Sequence, residues 1–281
     1  MKIVLSRKGF DSKYGGYPSI ILPNNNMITF PIPNDSDFYE YSDIRSVEGD
    51  SLFDIMKCLK DDINVDKKVK LTPDTHCHLD PDLYDEAVDR EEGWTGIFGQ
   101  IGAAEIVLEK NNVKEGDIFI FFGWFKDAIK ENGNYKFSKA RDKHVMFGYL
   151  QIDKILHPKY DKVPKQFKNH PHVKDVYRVE QDSNTIYIAK DVCTFDKNIK
   201  GYGLFKYDKE LDLTKENMTR TCWNLPAFFK GLRITYHNEN SWKDGYFKSA
   251  CIGQEFVIEE NKEVEKWAID LIKRHSANRV K

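Results

Sequence analysis

Short apolar runs separated by turn residues open the chain. The runs cover residues 3–5, 19–22 and 27–30, with two glycines at 15–16 and three asparagines at 24–26 between them. Runs of three or four apolar residues bounded by Gly and Asn are typical of β strands joined by turns. This part of the chain therefore predicts an N-terminal β extension.

Apolar residues spaced three or four apart predict helices in three places. The first helix follows Asp50 or Ser51, either of which can cap it. The second covers residues 103–110, and the third begins after Asn261 and ends in basic residues, which suit the negative end of a helix dipole. The apolar faces comprise Leu52, Ile55, Met56 and Leu59 in the first helix, Ala104, Val107 and Leu108 in the second, and Val264, Trp267, Ala268 and Leu271 in the third.

The middle of the chain is rich in β patterns. Residues 117–122, 145–152 and 185–190 are apolar runs of strand length, separated by polar loops that contain Gly, Asn and Pro. Several short strands with long loops predict a partly closed barrel or a curved sheet. Residues 61–70 are rich in charge and predict a solvated connection.

These elements predict an α+β fold with a β-rich core, an N-terminal β extension and flanking helices. We expect a single compact domain over residues 1–281. It divides into an N-terminal β/α segment (1–92), the β-rich core (93–200) and a C-terminal segment that ends in a helix (201–281).

Composition narrows the classes of function. Apolar residues make up 40% of the 281 positions, which is enough to offset chain entropy with a buried core. The formal net charge of -2 argues against a strongly basic nucleic-acid-binding surface and favours small or single-base ligands. The five cysteines are scattered without a C-x-x-C pair, so we expect neither a disulfide framework nor a cysteine zinc site. Free cysteines also suit the reducing cytoplasm, which is the expected location. No apolar run approaches the roughly 20 residues of a membrane helix, and the apolar start is too short for a signal peptide.

The most site-like segment alternates histidines and aspartates: His76, His78, Asp80 and Asp82. In an extended chain, side chains two residues apart lie on one face, so all four would point together. Two imidazoles and a carboxylate suit a divalent metal, with iron expected first and zinc or manganese next. We assign His76, His78 and Asp80 as ligands and Asp82 as a catalytic residue. The alternative is a loop in which the aspartates make turn hydrogen bonds and the histidines are incidental.

A second cluster follows the first predicted strand. Arg7, Lys8 and Asp11 precede the two glycines at 15–16, and Gly-rich turns bind anions through backbone amides. Arg7 and Lys8 are therefore candidates for holding a substrate phosphate, and Asp11 is a candidate catalytic residue. The alternative is an ordinary charged turn.

Aromatic residues concentrate around the central strand. Base-binding pockets stack rings on flat ligands, but alternate members of a strand must face the core. Trp124 follows Gly123 at the predicted strand end, so we expect its ring to contact substrate. The remaining rings are expected to pack in the core: Trp94, Phe98, Phe119, Phe121, Phe122 and Phe125.

Isolated polar residues lie in apolar or Gly-marked contexts. Gln100 is a candidate for substrate binding, and Gln254 and Glu255 for catalysis, because amides read donor and acceptor edges and a carboxylate relays protons. The alternative is that such residues only satisfy buried backbone groups. Further ligands or bases are available from His170, His172 and His237.

These segments together resemble the nucleotide modification associated domain family of the third type. The likeness covers nearly the whole chain and implies a role in modifying DNA bases, in the company of phages and mobile elements, but no specific reaction. The central strands also look similar to PUA-like barrels, which bind flipped bases; this second likeness is an analogy of fold. The segments are residues 6–12 (SRKGFDS), 78–83 (HLDPDL), 98–104 (FGQIGAA), 116–125 (GDIFIFFGWF), 144–151 (HVMFGYLQ), 170–172 (HPH) and 253–257 (GQEFV).

Three functions remain open at this point. The first is a metal-dependent enzyme that acts on a nucleobase or nucleotide. The second is a noncatalytic reader that binds a modified base in an aromatic pocket around Trp124 and needs no metal. The third is an assembly component of a modification or defence system, with other proteins of that system as partners, which would carry an exposed apolar patch of a few hundred Å² or more.

Overall fold

A computed structural model describes residues 1–280 of the chain and shows an α+β protein with a partly closed β core. Within these residues the strands are β1 (Ile3–Arg7), β2 (Tyr14–Gly15), β3 (Ser19–Ile21), β4 (Met27–Ile28), β5 (Tyr39–Glu40), β6 (Asp62–Val65), β7 (Lys67–Lys70), β8 (His76–Cys77), β9 (Ile97–Gln100), β10 (Ile118–Glu131), β11 (Asn134–Phe137), β12 (Lys143–Leu156), β13 (Thr185–Ala189), β14 (Val192–Cys193), β15 (Asp196–Lys200), β16 (Tyr202–Leu204), β17 (Cys222–Trp223), β18 (Trp242–Lys243), β19 (Tyr246–Lys248) and β20 (Glu255–Val257).

The three predicted helices are confirmed, and the first and the last are capped by residues that the sequence proposed. The Ser51 side chain accepts from the backbone N–H of Asp54 at the start of the first helix, and Asn261 caps the last one through Glu263 and Val264. Two further helices are single turns near residue 175. The helices are α1 (Leu52–Leu59), α2 (Gly102–Lys110), α3 (Pro171–Lys174), α4 (Val176–Val179) and α5 (Lys262–His275). None of the helices in residues 1–280 is long and apolar enough to cross a membrane.

The main sheet follows the order β20-β1-β10-β12-β13-β9. The pair β1–β10 is parallel, and the other pairs along this path are antiparallel. The sheet curls until side chains of β9 and β20, at its two ends, are in hydrogen-bond contact. This curl produces the partly closed barrel that the strand pattern predicted.

The central strands are longer than their apolar runs. β10 and β12 each have 14 residues, because β10 pairs first with β1 and then continues beyond Gly123 to pair with β3 and β11. Phe119, Phe121 and Phe122 are fully buried. Burial of each such ring contributes about 1.5–3 kcal/mol relative to exposure. These rings therefore belong to the core, as expected.

Residues 61–70 differ from the expectation. The predicted solvated connection is wrong, because β6 and β7 form an antiparallel hairpin that turns at Asp66, which has a φ of 57°. Tyr14 and Gly15 of β2 extend this small sheet through β6. Because most side chains of this exposed edge hairpin are charged, the alternation of apolar and polar residues that would predict strands is missing. The same charges protect the edge from pairing with other chains.

Two hydrophobic clusters account for most of the core. The larger one reaches from Ile3 to Ile272 and so joins both ends of the chain around the main sheet. The second lies among residues 10–137 and packs α1 against β3, β4 and the end of β10. The N-terminal segment thus stands beside the barrel, and a cavity opens between the two.

Candidate functional site

A cavity of about 710 Å³ lies at the C-terminal end of β1, between the N-terminal segment, the main sheet and the C-terminal segment. Ligand cavities of enzymes are typically of this size. It brings together residues that are far apart in the sequence. The predicted site residues that line it are Arg7, Lys8, Asp11, His78, Asp80, Gln100, Trp124 and Gln254.

Three ligand-type side chains converge on one wall of the cavity: His78, Asp80 and His172. One potential ligand atom from each lies within 4.8 Å of the others. The His78 Nε2 atom is 3.9 Å from Asp80 Oδ2, and the rings of His78 and His172 are 5.3 Å apart between centroids. His172 comes from α3, far beyond the predicted segment in the chain, and completes the cluster.

The Nδ1 atoms of His78 and His172, which face away from the cluster, already have hydrogen-bond partners. His78 Nδ1 lies 2.7 Å from Asp37 Oδ2, and His172 Nδ1 lies 2.7 Å from the amide oxygen of Asn184. Both partners are acceptors, so each ring donates its proton from Nδ1. In the neutral imidazole this leaves a lone pair on Nε2, which is the arrangement that metal-binding histidines usually adopt.

Asp80 is held in place from two sides. Its Oδ1 accepts from the backbone N–H of Gly99 at 2.7 Å, and His170 Nε2 lies 3.2 Å from the same oxygen. His170 Nδ1 accepts from the His172 backbone at 3.3 Å, so the His170 proton is on Nε2, facing Asp80. The absent side chain of Gly99 also matters, because a Cβ there would lie 2.3 Å from the His172 ring.

The electrostatics of the cluster favour the forms that bind cations. Burial raises the pKa of the Asp80 carboxyl, but the His170 ring 3.2 Å away and the positive charges that the nearby imidazoles carry when protonated outweigh this and hold the pKa below its usual range. Burial lowers the pKa of His172 to about 3. At neutral pH the cluster therefore presents a carboxylate and a neutral imidazole.

His76 and Asp82 do not join this cluster, so the expectation that four alternating side chains point together is wrong. β8 spans only His76–Cys77, and the alternation of side chains ends with the strand. His76 Nε2 faces Glu40 at 3.8 Å. Asp82 forms a bidentate ion pair with Arg90, at 2.7 and 2.6 Å. Neither residue lines the cavity.

A polar network forms another part of the cavity wall. Glu255 Oε1 accepts from Lys8 Nζ at 3.0 Å and from Gln100 Nε2 at 2.6 Å. Ser6 Oγ donates to the same oxygen at 3.0 Å, and Gln254 Oε1 accepts from Gln100 at 3.2 Å. Glu255 is fully buried and lies behind the cavity surface, and its Oε2 has no hydrogen-bond partner in the described chain.

Trp124 lines the cavity half-buried. Its Nε1 donates to Asp142 at 2.9 Å, and the Arg220 guanidinium lies 4.0 Å from the ring centroid. Asp11 is exposed at the cavity rim, where its Oδ1 accepts from the backbone of Lys13 and Tyr14. The other aromatic rings of β10 are buried in the core. In place of the predicted aromatic pocket, the cavity therefore has a single ring of this strand, that of Trp124, covered by the Arg220 guanidinium.

Several residues of the site carried no local signal. Asp37 and Arg220 lie in loops without a recognisable motif, and the sequence around His144 indicates only a strand. His172 could be found only as one member of the His-Pro-His segment. His237, the other reserve ligand, is satisfied by the Thr235 carbonyl and the Ala250 backbone N–H.

The comparison with protein families adds one positive finding. The family model described as nucleotide modification associated domain 3 matches residues 2–259 of the 281, which is nearly the whole chain. Among curated proteins and among solved structures, no protein matches the chain. The similarity to PUA-like barrels therefore remains a prediction.

Proposed function

Because the chain belongs to the nucleotide modification associated domain 3 family, we propose that it is an enzyme that modifies a nucleobase or nucleotide with a divalent metal ion. The metal ligands in this proposal are His78, Asp80 and His172. One observation carries it: two imidazoles whose Nδ1 atoms are already hydrogen-bonded and one carboxylate converge on the wall of a cavity large enough for a nucleotide.

The donor set supports iron first and zinc or manganese next. Two histidines and one carboxylate leave coordination positions open, as in non-haem iron oxygenases and in catalytic zinc sites. A bound ion of this kind supplies Lewis acidity or oxygen activation next to the substrate. The absence of cysteine ligands counts against a closed structural zinc site.

The surrounding residues have distinct roles in this proposal. Asp37 and Asn184 set the orientation of the two imidazoles, and His170 holds Asp80. The network of Lys8, Gln100, Gln254 and Glu255 orients the substrate and handles its protons, and Asp11 acts at the cavity rim.

Asp82 has a positioning role in place of a catalytic one. Its ion pair with Arg90 and its backbone bridge to Ile97 anchor the turn that presents Asp80.

A noncatalytic reader is the second candidate. The contact between Arg220 and the Trp124 ring favours it, because a cation on an aromatic ring forms a flat recognition surface that needs no metal. In that case a chelator leaves ligand binding unchanged, and Trp124→Ala abolishes it.

Metal analysis tests the proposal. Chelator-treated protein is titrated with Fe(II) in the absence of oxygen, and separately with Zn(II) and Mn(II), and the bound metal is measured by mass spectrometry. We expect stoichiometric binding that His172→Ala and His78→Ala abolish. His76→Ala is the matched control, since His76 lies outside the cluster and should leave metal content unchanged.

Two results would overturn the metal proposal. One is the absence of stoichiometric metal under all three conditions. The other is an equal loss of metal in His76→Ala and His172→Ala, because the cluster would then not be the binding site.

With metal bound, turnover of deoxynucleotides and of single-stranded DNA is followed by mass spectrometry of the nucleosides.

A further inference from the structure

We infer that Arg7, His144 and Arg220 form a binding site for a phosphate group of the substrate. The site lies in the same cavity as His78, Asp80 and His172, and the inference rests on the proposed function because it specifies the substrate class. Among the residues that the structure describes, two cations of this cavity lack an anionic partner, whereas the others are neutralised by carboxylates.

Arg7 is the first of these cations. One of its terminal nitrogens donates to the Cys251 carbonyl at 2.9 Å, and the other to the Ala250 carbonyl at 2.5 Å. Its guanidinium lies between the rings of Phe122 and Phe256, at 5.8 and 5.3 Å from their centroids. The Nε atom is buried without a partner, and no carboxylate of the described residues pairs with the group.

Arg220 is the second. It covers the Trp124 ring at 4.0 Å, and one terminal nitrogen donates to Ser12 Oγ at 3.2 Å. Residues 1–280 offer it no carboxylate within ion-pair distance. Its remaining N–H groups are thus available to a ligand in the cavity.

His144 adds a neutral donor. Its Nδ1 accepts from Trp223 Nε1 at 3.1 Å, so the proton of the neutral ring is on Nε2, for which no described protein atom is an acceptor. Burial, followed by the charges of Arg7 and Arg220, keeps the pKa of His144 well below its usual value. The ring therefore lines the cavity as an uncharged N–H donor beside two guanidinium groups.

The nearby carboxylates are occupied elsewhere. Asp142 accepts from Trp124 Nε1 and lies 3.5 Å from Lys126 Nζ. Asp11 accepts from two backbone N–H groups of its own turn. Burial and the positive charge of Arg220 both lower the pKa of Arg7, and an anion between the two guanidinium groups would relieve their repulsion. Arg220 supplies the forked donors that phosphate binds best, and Arg7 adds its positive charge.

Lys8 is not part of this phosphate site, although its position in the sequence pointed there. Its ammonium is 3.0 Å from the buried Glu255 carboxylate, and the pair is neutral as a unit. Arg178 is likewise paired with Asp37, and Lys13 with Asp66. The free positive charge of the cavity is therefore concentrated at Arg7 and Arg220.

Isothermal titration calorimetry with defined probes tests the site. The probes are inorganic phosphate, the four deoxynucleosides, their 5′-monophosphates and a single-stranded oligodeoxynucleotide. We expect a monophosphate or the oligonucleotide to bind at least about tenfold more tightly than the matching nucleoside, and Arg220→Gln to remove this difference. Arg274→Gln is the matched control, since Arg274 lies on the surface of α5 and pairs with Glu210.

The outcomes are separable from those of the metal experiment. Equal affinity for nucleoside and nucleotide, or equal effects of Arg220→Gln and Arg274→Gln, would overturn the phosphate site. Metal content is measured on the same samples and should stay unchanged in Arg220→Gln. If the protein binds no metal, the comparison of nucleoside and nucleotide affinities still tests the phosphate site. A preference for the oligonucleotide identifies the DNA backbone as the source of the phosphate, and a preference for the monophosphate identifies a free nucleotide.

Discussion

Gln100 Nε2 donates to Glu255 Oε1 at 2.6 Å and thereby joins two residues that are 155 positions apart in the chain. Gln100 ends β9 and Glu255 begins β20, which are the two ends of the main sheet path. The sheet therefore closes through side chains and not through a backbone ladder. The opening beside this contact is where the cavity forms.

Removal of the Glu255 charge should destabilise the protein strongly. In Glu255→Gln the Lys8 ammonium loses its buried partner, and breaking a buried ion pair on one side costs about 3–5 kcal/mol. Urea unfolding of the two proteins measures the difference. Gln254→Ala, which removes the exposed neighbour, should cost far less, and equal losses would show that the Lys8–Glu255 pair is not structurally important.

Asn184→Ala should weaken metal binding without removing a ligand. Asn184 Oδ1 accepts from His172 Nδ1, and its Nδ2 donates to the His172 carbonyl at 2.8 Å. Loss of an outer partner of this kind lowers metal affinity by about 10–100-fold. Competition with a fluorescent chelator gives the affinity. The exposed Asn240→Ala serves as control, and unchanged affinity in Asn184→Ala would contradict the assignment of His172 as a ligand.

Glu105 should make stability depend on pH. It lies buried on α2, where both carboxylate oxygens accept from the Tyr187 hydroxyl, and burial raises its pKa from 4.5 to about 7. Because the folded state holds the proton more tightly, this group lowers stability as pH rises from about 4.5 to 7, by no more than about 3 kcal/mol.

Glu105→Gln should remove this decrease of the unfolding free energy with pH and be more stable than the parent protein above pH 7. Urea unfolding at a series of pH values measures the unfolding free energy. Glu109→Gln, an exposed change on the same helix, should leave the decrease in place. If the two variants follow the same pH dependence, then Glu105 is ionised in the folded protein at neutral pH.

Arg90→Met should separate the role of Asp82 from that of the metal ligands. Arg90 forms two hydrogen bonds to the buried Asp82 carboxylate and lies 3.7 Å from the Trp94 ring centroid. Its loss leaves an unpaired buried charge, with an expected cost of about 3–5 kcal/mol in unfolding free energy. Metal binding should weaken in the folded fraction without being abolished, because the turn that presents Asp80 loses an anchor while His78, Asp80 and His172 all remain. Unchanged metal affinity would show that the ion pair does not position Asp80.

The sequence predicted those parts of the fold that depend on neighbouring residues. The first helix was expected to be capped by Asp50 or Ser51 and the last by Asn261, because a helix start has a local chemical requirement, and Ser51 and Asn261 are the caps. The run at residues 117–122 predicted a strand because burial has a local pattern. The hairpin of β6 and β7 was missed, since exposed charged strands carry no such pattern.

The candidate site shows where local information ends. His78 and Asp80 were predicted as ligands from their spacing, and the structure brings them together. Their third partner, His172, comes from a distant helical turn, and His76 and Asp82 turn away because the strand ends at Cys77.

The amino-acid sequence by itself determined the family, the caps, the core strands and the position of the His/Asp segment. Only the tertiary structure decided which charges neutralise one another: Lys8 with Glu255, Asp82 with Arg90, and neither Arg7 nor Arg220 with any carboxylate of residues 1–280. The physical reason is that helix capping and strand burial act between residues a few positions apart. Ion pairing and ligand convergence depend instead on distances in space, which the curled sheet sets only once β9 and β20 have met.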